Sequence, residues 1–427
     1  MTQVISYIDP GTGSMLFTVL IGAITTLFFF AQRLMIKLKF LISAGSARDD
    51  EQSETLPVVM FSDDKRYWKC FKPVCDELER RKIRASYWTA SEDDPGLDAK
   101  YEYVETRCLG TLNQAFLKLN TMRADIVLST TPGLDVYQWK RSKNVKWYVH
   151  FKHGADTTVG YRMFGQDHYD AILVSSQFMV DQIRELEAKR NLPPKDVRIC
   201  GVTYLDTMRD RLEAWQAEHG KRTLPADSDD ITVLFSPTWG PSGLFARYGD
   251  RALEAVINTG YKVIVRPHPQ SLTSEKENID RLVKKFPEND RLRWSFDNDY
   301  FATLCEADVM VSDFSGITFD YLLVFDKPVL YSIADYDNSV YDACWLDEPA
   351  WHHRNFHRVA VEFDDKSFPH MREIISNAVT SVEFAEERKK FRQEAWPTAG
   401  HAAENIVDYL EERLAIIRSE EADGDKS

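Results

Sequence analysis

The sequence predicts an α/β protein with two doubly wound parallel-sheet domains behind one amino-terminal membrane helix. Three observations carry this reading. Short apolar runs alternate with helical stretches in two successive sets, and parallel strands require such crossovers. The polar stretch Gln216–Asp230, with Gly220, Pro225 and Asp229-Asp230, separates the two sets. Gly13–Ala31 holds no charged residue and approaches the ~20 residues that span a bilayer.

Residues 1–45 read as the membrane anchor. Asp9 precedes the apolar run, and Arg33, Lys37 and Lys39 follow it. The positive-inside rule then puts the amino terminus outside and the rest of the chain in the cytoplasm, as a single-pass protein of the cytoplasmic membrane. The flanks do not fit a cleaved signal peptide, which carries positive charge before the run and a small-residue site after it. Leu34–Ile42 alternates basic and apolar residues and is expected to lie along the inner leaflet. Ala44–Thr55 is polar and acidic, a linker.

Residues 56–220 form the first expected domain. Its strands are Val58–Phe61, Ile83–Trp88, Ile126–Ser129, Val145–Phe151, Ala171–Ser175 and Val197–Cys200, with helices at Tyr67–Lys82 and Gln177–Lys189. Residues 231–418 form the second. Its strands are Ile231–Phe235, Tyr261–Val265, Leu292–Ser295, Asp308–Val311 and Val329–Tyr331. Glu383–Ile417 reads as helix, interrupted around Pro397–Gly400, and the charged tail Ser419–Ser427 as disordered.

Composition narrows the function. The 427 residues carry a net charge of −14, which excludes an extended nucleic-acid-binding face while leaving room for a local basic cleft. The six cysteines have no metal-ligand spacing and several lie in apolar runs, so reduced, buried thiols in a cytoplasmic compartment are expected. Nothing in the pattern calls for a cofactor or a metal.

The chemistry gathers at strand ends. Ala307–Tyr331 reads as one βαβ unit whose turn is Ser312-Asp313-Phe314-Ser315-Gly316. Such a turn lies at the carboxyl end of a parallel strand, where α/β sheets bind ligands. Free N–H groups of the helix start and the hydroxyls of Ser312, Ser315 and Thr318 suit a phosphate. The competing reading has Asp313 and Ser315 only capping the helix. A second strand ends in Arg266-Pro267-His268-Pro269, where the prolines fix the backbone and bar a helix. A third, Trp147–Gly154, ends in His153-Gly154. Phe235-Ser236-Pro237-Thr238-Trp239 and Cys200-Gly201-Val202-Thr203-Tyr204-Leu205-Asp206 are further polar exits.

The ordered set His153-Gly154, Gly201…Asp206, Pro237-Thr238-Trp239, Arg266-Pro267-His268-Pro269 and Ser312-Asp313-Phe314-Ser315…Phe319-Asp320, with Asp326-Lys327-Pro328 downstream, resembles the CDP-glycerol glycerophosphotransferase family. These are the teichoic-acid primases and polymerases of bacterial envelopes. The resemblance runs from roughly Val145 to Leu410. The family usually reads Gly-x-Pro-Arg-x-Asp where this chain has Tyr204 in place of the arginine, and often Thr-Pro where Ala155-Asp156 stand.

The resemblance implies two Rossmann-like domains in a GT-B arrangement. It implies transfer of glycerol phosphate from a CDP-alcohol to a hydroxyl of a glycan or lipid-linked acceptor at the membrane, with CMP leaving. His153 would be the base, because an unperturbed histidine is poised near neutral pH, and the rate would fall below roughly pH 6.5. His268 and Arg266 would hold the pyrophosphate, with His268 protonating the leaving phosphate. Ser312, Ser315 and Gly316 would hold phosphate oxygens, Thr238 would bind near the donor, and Asp313 would orient a histidine or a donor hydroxyl.

Other conspicuous groups read as structural. Asp297-Asn298-Asp299 and Asp63-Asp64 read as helix caps. Trp351-His352-His353…His357 reads as a surface loop, since no carboxylate or thiolate completes a metal pattern. Two other function classes fit the same fold. One is a GT-B glycosyltransferase or epimerase using a nucleotide sugar, marked by activity on UDP-sugars rather than CDP-alditols. The other is a non-catalytic envelope-assembly scaffold, disfavoured by the polar groups at the strand ends.

Overall fold

The computed structural model describes residues 55–222, 229–297, 299–313, 315–333 and 338–424. The expected membrane helix Gly13–Ala31, the basic segment Leu34–Ile42 and the linker up to Glu54 lie outside the described residues. Among the described residues no helix is long and apolar enough to cross a membrane.

The first sheet has seven parallel strands in the order β3-β2-β1-β4-β5-β6-β7. They are β1 (Leu56–Ser62), β2 (Ala85–Thr89), β3 (Val104–Cys108), β4 (Arg123–Ser129), β5 (Asn144–Phe151), β6 (Ala171–Val174) and β7 (Asp196–Ile199). The second has six, in the order β10-β9-β8-β11-β12-β13. They are β8 (Thr232–Ser236), β9 (Lys262–Val265), β10 (Leu292–Trp294), β11 (Val309–Asp313), β12 (Val329–Ser332) and β13 (Ala360–Glu362). Central strands such as β6 are buried on both faces and read as unbroken apolar runs. The two strands absent from the expectation, β3 and β13, are edge strands. VETRC alternates exposed and covered residues, and AVE is three residues long, so neither makes an apolar run.

Strand order reverses between β1 and β4 and again between β8 and β11. These are the switch points outside which α/β sheets open a ligand crevice. Thr238 follows β8 and the Ser315 turn follows β11, so both flank the second switch point.

Two joints tie the lobes. The helix Ala402–Gly424 follows the second sheet but packs on the helix Trp68–Arg80 and on β4. Asp206 accepts the N–H groups of Gly400 (2.6 Å) and Ala402 (2.8 Å) at its start. Gly201, at φ +102°, lets the chain pass where a Cβ would sit 2.6 Å from Thr398 Oγ1. The Gly201…Asp206 motif thus clasps this helix. Ser419–Gly424, expected to be disordered, continues it, with Ile417 buried and Lys146 bridging Asp125 and Glu421.

The second joint is strand-like. Ala343 N donates to Val159 O (2.9 Å), Asp342 N to Tyr161 O (2.9 Å) and Met163 N to Val340 O (3.1 Å). Beneath it Arg190 Nη2 meets Asp342 Oδ1 at 2.5 Å, with side chains only 3% and 1% exposed. The guanidinium lies 5.0 Å from the rings of both Phe164 and Trp345 and also binds Asp167. Four cysteines are buried as expected, but Cys108, at the end of the edge strand β3, is partly exposed, and Cys344, in the short turn Asp342–Trp345, is exposed. Breaking a buried pair strands a charge at a cost of roughly 3–5 kcal/mol. Arg190→Met is therefore expected to lower unfolding free energy in urea by that amount, and a loss below about 1 kcal/mol would count the joint as unimportant.

Candidate functional site

Asp313 ends β11 and is 2% exposed. Its Oδ2 accepts the N–H groups of Thr238 (2.8 Å) and Leu244 (3.2 Å), which clamps the loop after β8 in place. Burial raises its carboxyl to about 6. Asp313 therefore orients a loop rather than a histidine. Ser312 is fully buried and donates to Ser236 O at 2.5 Å. Its hydroxyl stitches β11 to β8 and is turned to the sheet rather than to a phosphate. Thr318 is likewise spent, donating to Ser315 O at 2.6 Å.

Ser315 and Gly316 remain open. Ser315 precedes the helix Gly316–Asp320, and its side chain makes no capping bond. A Cβ on Gly316 would meet nothing within 4 Å. Both line a cavity of about 490 Å³ whose walls come from both lobes: Asp156, Thr157 and Gly160 from the first, and Thr238, Trp239 and Phe319 with the turn from the second. His352 and His353 also line it. Contrary to the expected surface loop, Trp351–Asn355 is helical and His352 is 6% exposed. Trp351 stacks on Phe178 of the first lobe at 4.1 Å, and this contact turns the histidines inward. Aromatic residues at both ends of the run were the available signal. Among the described residues no group of three His, Cys, Asp or Glu side chains is placed to hold a metal.

Arg266 and His268 leave β9 as expected, but differ in reach. Arg266 is 5% exposed, its Nη1 donates to Ser295 Oγ (3.2 Å), it lies 5.0 Å over the Tyr300 ring, and it is not among the residues that line the cavity. His268 is partly exposed, 6.4 Å from Trp239, which borders the cavity. Its Nδ1 accepts the Gln270 N–H at 3.1 Å, so the neutral ring carries its hydrogen on Nε2. Burial lowers its pKa and keeps that neutral form.

His153 follows β5 in the first lobe. Its ring lies 5.1 Å from Tyr67, and its Nδ1 is 3.5 Å from Tyr161 Oη. The same hydroxyl is 3.3 Å from His150 Nε2. Burial, then the nearby Lys152 ammonium, push His153 down to about 4, with Asp156 opposing. The pH limb expected near 6.5 moves down with it. His153 does not itself line the cavity; Asp156, three residues on, does, and its charge reaches His153.

Asp320, part of the motif but given no role, ends the Gly316 helix where the chain widens into a π turn over Tyr321–Phe325. Burial raises its carboxyl to about 7, countered by Lys69. Lys69 Nζ lies 3.7 Å over the Tyr204 ring, and the Tyr204 and Tyr300 hydroxyls are bonded. Where the family pattern has an arginine, this chain has tyrosine, and a cation reaches the spot from the first lobe. No spacing signals Lys69. Asp299 and Asp64 cap as expected, accepting the N–H groups of Phe301 (3.1 Å) and Arg66 (2.9 Å).

Two solved structures of the wall teichoic acid polymerase TagF soaked with CDPG resemble this chain. One has TM-score 0.55 at 12% identity over 92% of this chain and 98% of TagF, the other 0.53 at 14% over 84% and 88%. The UDP-GlcNAc 2-epimerase from Neisseria meningitidis bound to UDP-GlcNAc follows at 0.52 and 14%, over 84% of this chain and all of that one (100%). At such identities the likeness establishes the fold, two parallel-sheet Rossmann-like domains of GT-B type. No curated protein matches the chain at a significant level. The family model described as CDP-Glycerol:Poly(glycerophosphate) glycerophosphotransferase matches residues 72–412, and the protein therefore belongs to that family of transferases.

Proposed function

We propose that this protein moves glycerol phosphate, or a related alditol phosphate, from a CDP-alcohol to a hydroxyl of a cell-envelope glycan or lipid-linked acceptor, releasing CMP. Gly13–Ala31 anchors it in the cytoplasmic membrane with both lobes on the cytoplasmic side. The observation that carries the reading is the two-lobed cavity, with the Ser315–Gly316 turn on one wall and Asp156, beside His153, on the other.

Phosphoryl transfer needs positioning and charge stabilisation more than covalent help. The Ser315 hydroxyl, the Gly316 N–H and His268 Nε2–H hold the donor phosphates, with Thr238 beside them. Arg266 contributes its charge from outside the cavity lining. The acceptor oxygen attacks the β-phosphorus, its proton passes to His153, and the bond to the CMP oxygen breaks. His268 Nε2–H stabilises the leaving phosphate. His153 is neutral at pH 7 and so free to accept a proton, and the incoming phosphates strengthen it, since a nearby anion favours imidazolium. A second reading keeps the reaction and gives the proton to Asp320, whose carboxyl near 7 suits a base.

A thermal-shift panel with CMP, CDP, UDP and CDP-glycerol tests the donor class, because bound ligand raises the melting temperature by mass action. Cytidine nucleotides should shift the full chain; a response to UDP alone would favour the nucleotide-sugar class. His268→Ala and Ser315→Ala are expected to weaken CMP and CDP-glycerol binding with the fold intact, and unchanged affinity in both would refute the donor wall.

His153→Ala is expected to cut transfer by ~10²–10⁴ with donor binding near normal, as for loss of a general base. The parent kcat/KM, which reports the free enzyme, should stay level as pH falls through 6.5 and drop only toward about 4, where His153 takes up its proton. If Asp320→Asn shows the large loss while His153→Ala keeps transfer within about threefold, the second reading replaces the first.

Anchoring is checked by carbonate washing of membranes. The full chain should stay with the pellet, and release of intact protein would remove the spanning helix.

A further inference from the structure

Asp156 is a cavity-lining carboxylate that no part of the fold uses. Its carboxylate lines the cavity wall, yet it makes no hydrogen bond or ion pair with any described residue. The other carboxylate on the wall, Asp313, gives its Oδ2 to Thr238 and Leu244 and keeps its Oδ1 buried inside the turn without a partner among the described residues. The chain makes room for Asp156: a Cβ on Gly154 would stand 3.1 Å from Asp156 Oδ1, tighter than ordinary contact.

We propose that Asp156 is a polyol-binding residue, which accepts hydrogen bonds from the alditol hydroxyls of the substrate at the wall opposite the phosphate turn. This rests on the donor reading above.

Charge fixes the arrangement. A carboxylate repels phosphate, so the donor's phosphates settle at Ser315 and Gly316, across the cavity. What reaches Asp156 must be neutral and rich in donors, and the unit attached to the β-phosphate of a CDP-alditol is a chain of hydroxyls. An ionised carboxylate has two acceptor oxygens and suits paired hydroxyls. His352 and His353, which line the cavity from the second lobe, offer no competing cation, since burial lowers the pKa of both. Lys152 and His153 adjoin Asp156 in its own loop, the buried Asp320 feels the charges of both Asp156 and Lys69, and Tyr161 lies near with its hydroxyl turned to His150 and His153. Thr157, next in sequence, is spent inside the fold, its hydroxyl on Gln182 (3.3 Å) and Val159 N (3.2 Å). That leaves Asp156 as the group of its loop that is free to grip substrate.

The test is Asp156→Asn in the full chain, with Asp156→Ala as the second variant. The substitution breaks no internal hydrogen bond, so the melting temperature should hold. Affinity for CDP-glycerol should fall about tenfold or more, the effect of losing hydrogen bonds to a charged acceptor, while affinity for CMP, which has no alditol, stays within about twofold. If only the KM for the acceptor rises by that factor, the hydroxyls gripped are the acceptor's and the polyol assignment stands on that side. Equal loss for CDP-glycerol and CMP, or a fall in kcat with every affinity unchanged, overturns it. A parent chain that binds UDP-sugars and not CDP-glycerol would instead overturn the donor reading, which keeps the two failures apart.

Discussion

The cavity lies between two lobes, and a buried ion pair outside its lining helps to hold them together. Arg190 and Asp342 sit under the strand-like pairing of residues 159–163 with 340–343. That pairing brings Gly160 and Asp156 of the first lobe and Tyr341 of the second to the same cavity. Without it the Ser315–Gly316 turn would lose the wall that the first lobe supplies, and Tyr161 would lose its fixed place beside His150 and His153. Buried pairs are often neutral for stability when replaced whole, and costly when broken by half. Here the pair gains its value from geometry, since it fixes two lobes in one relation.

The site works with neutral groups held dry. His153 is pushed down to about 4 and His268 is lowered too, while Asp320 is raised to about 7. Burial is the leading cause in each case. In a cleft prepared in this way a bound anion would be the dominant charge and would raise the pKa of nearby histidines. Arg266 and Lys69 supply positive charge from the margins. The net charge of −14 is thus compatible with an anion-binding centre.

The sequence disclosed the layers of the fold and the rim of the site more fully than its contacts. Central strands announce themselves as apolar runs because both faces are covered, whereas β3 and β13 are edges and look like loops. The turns after β8, β9 and β11 were legible because glycine, proline and hydroxyl residues punctuate them. Which hydroxyl faces a ligand was not. Ser312 and Ser315 look alike on paper, and strand register alone sends the first into the sheet. His352 was unreadable for a different reason: the stacking of Trp351 on Phe178 is a contact between distant segments. The depressed pKa of His153 was equally hidden, since it comes from burial under residues that no motif links to it.

The path of the helix Ala402–Gly424 has a consequence for how the chain is made. Ile406, Val407, Leu410, Leu414 and Ile417 share one apolar cluster with Val58, Phe71 and Leu78, more than three hundred positions earlier. Chains emerge from the ribosome at roughly 5–20 residues per second, so the early lobe waits tens of seconds with part of its apolar surface uncovered. It is completed by a segment that arrives after the second lobe has been synthesised. Nascent chains stalled before this helix would expose that surface to chaperones and proteases, which makes synthesis of both lobes a condition for the first to be finished.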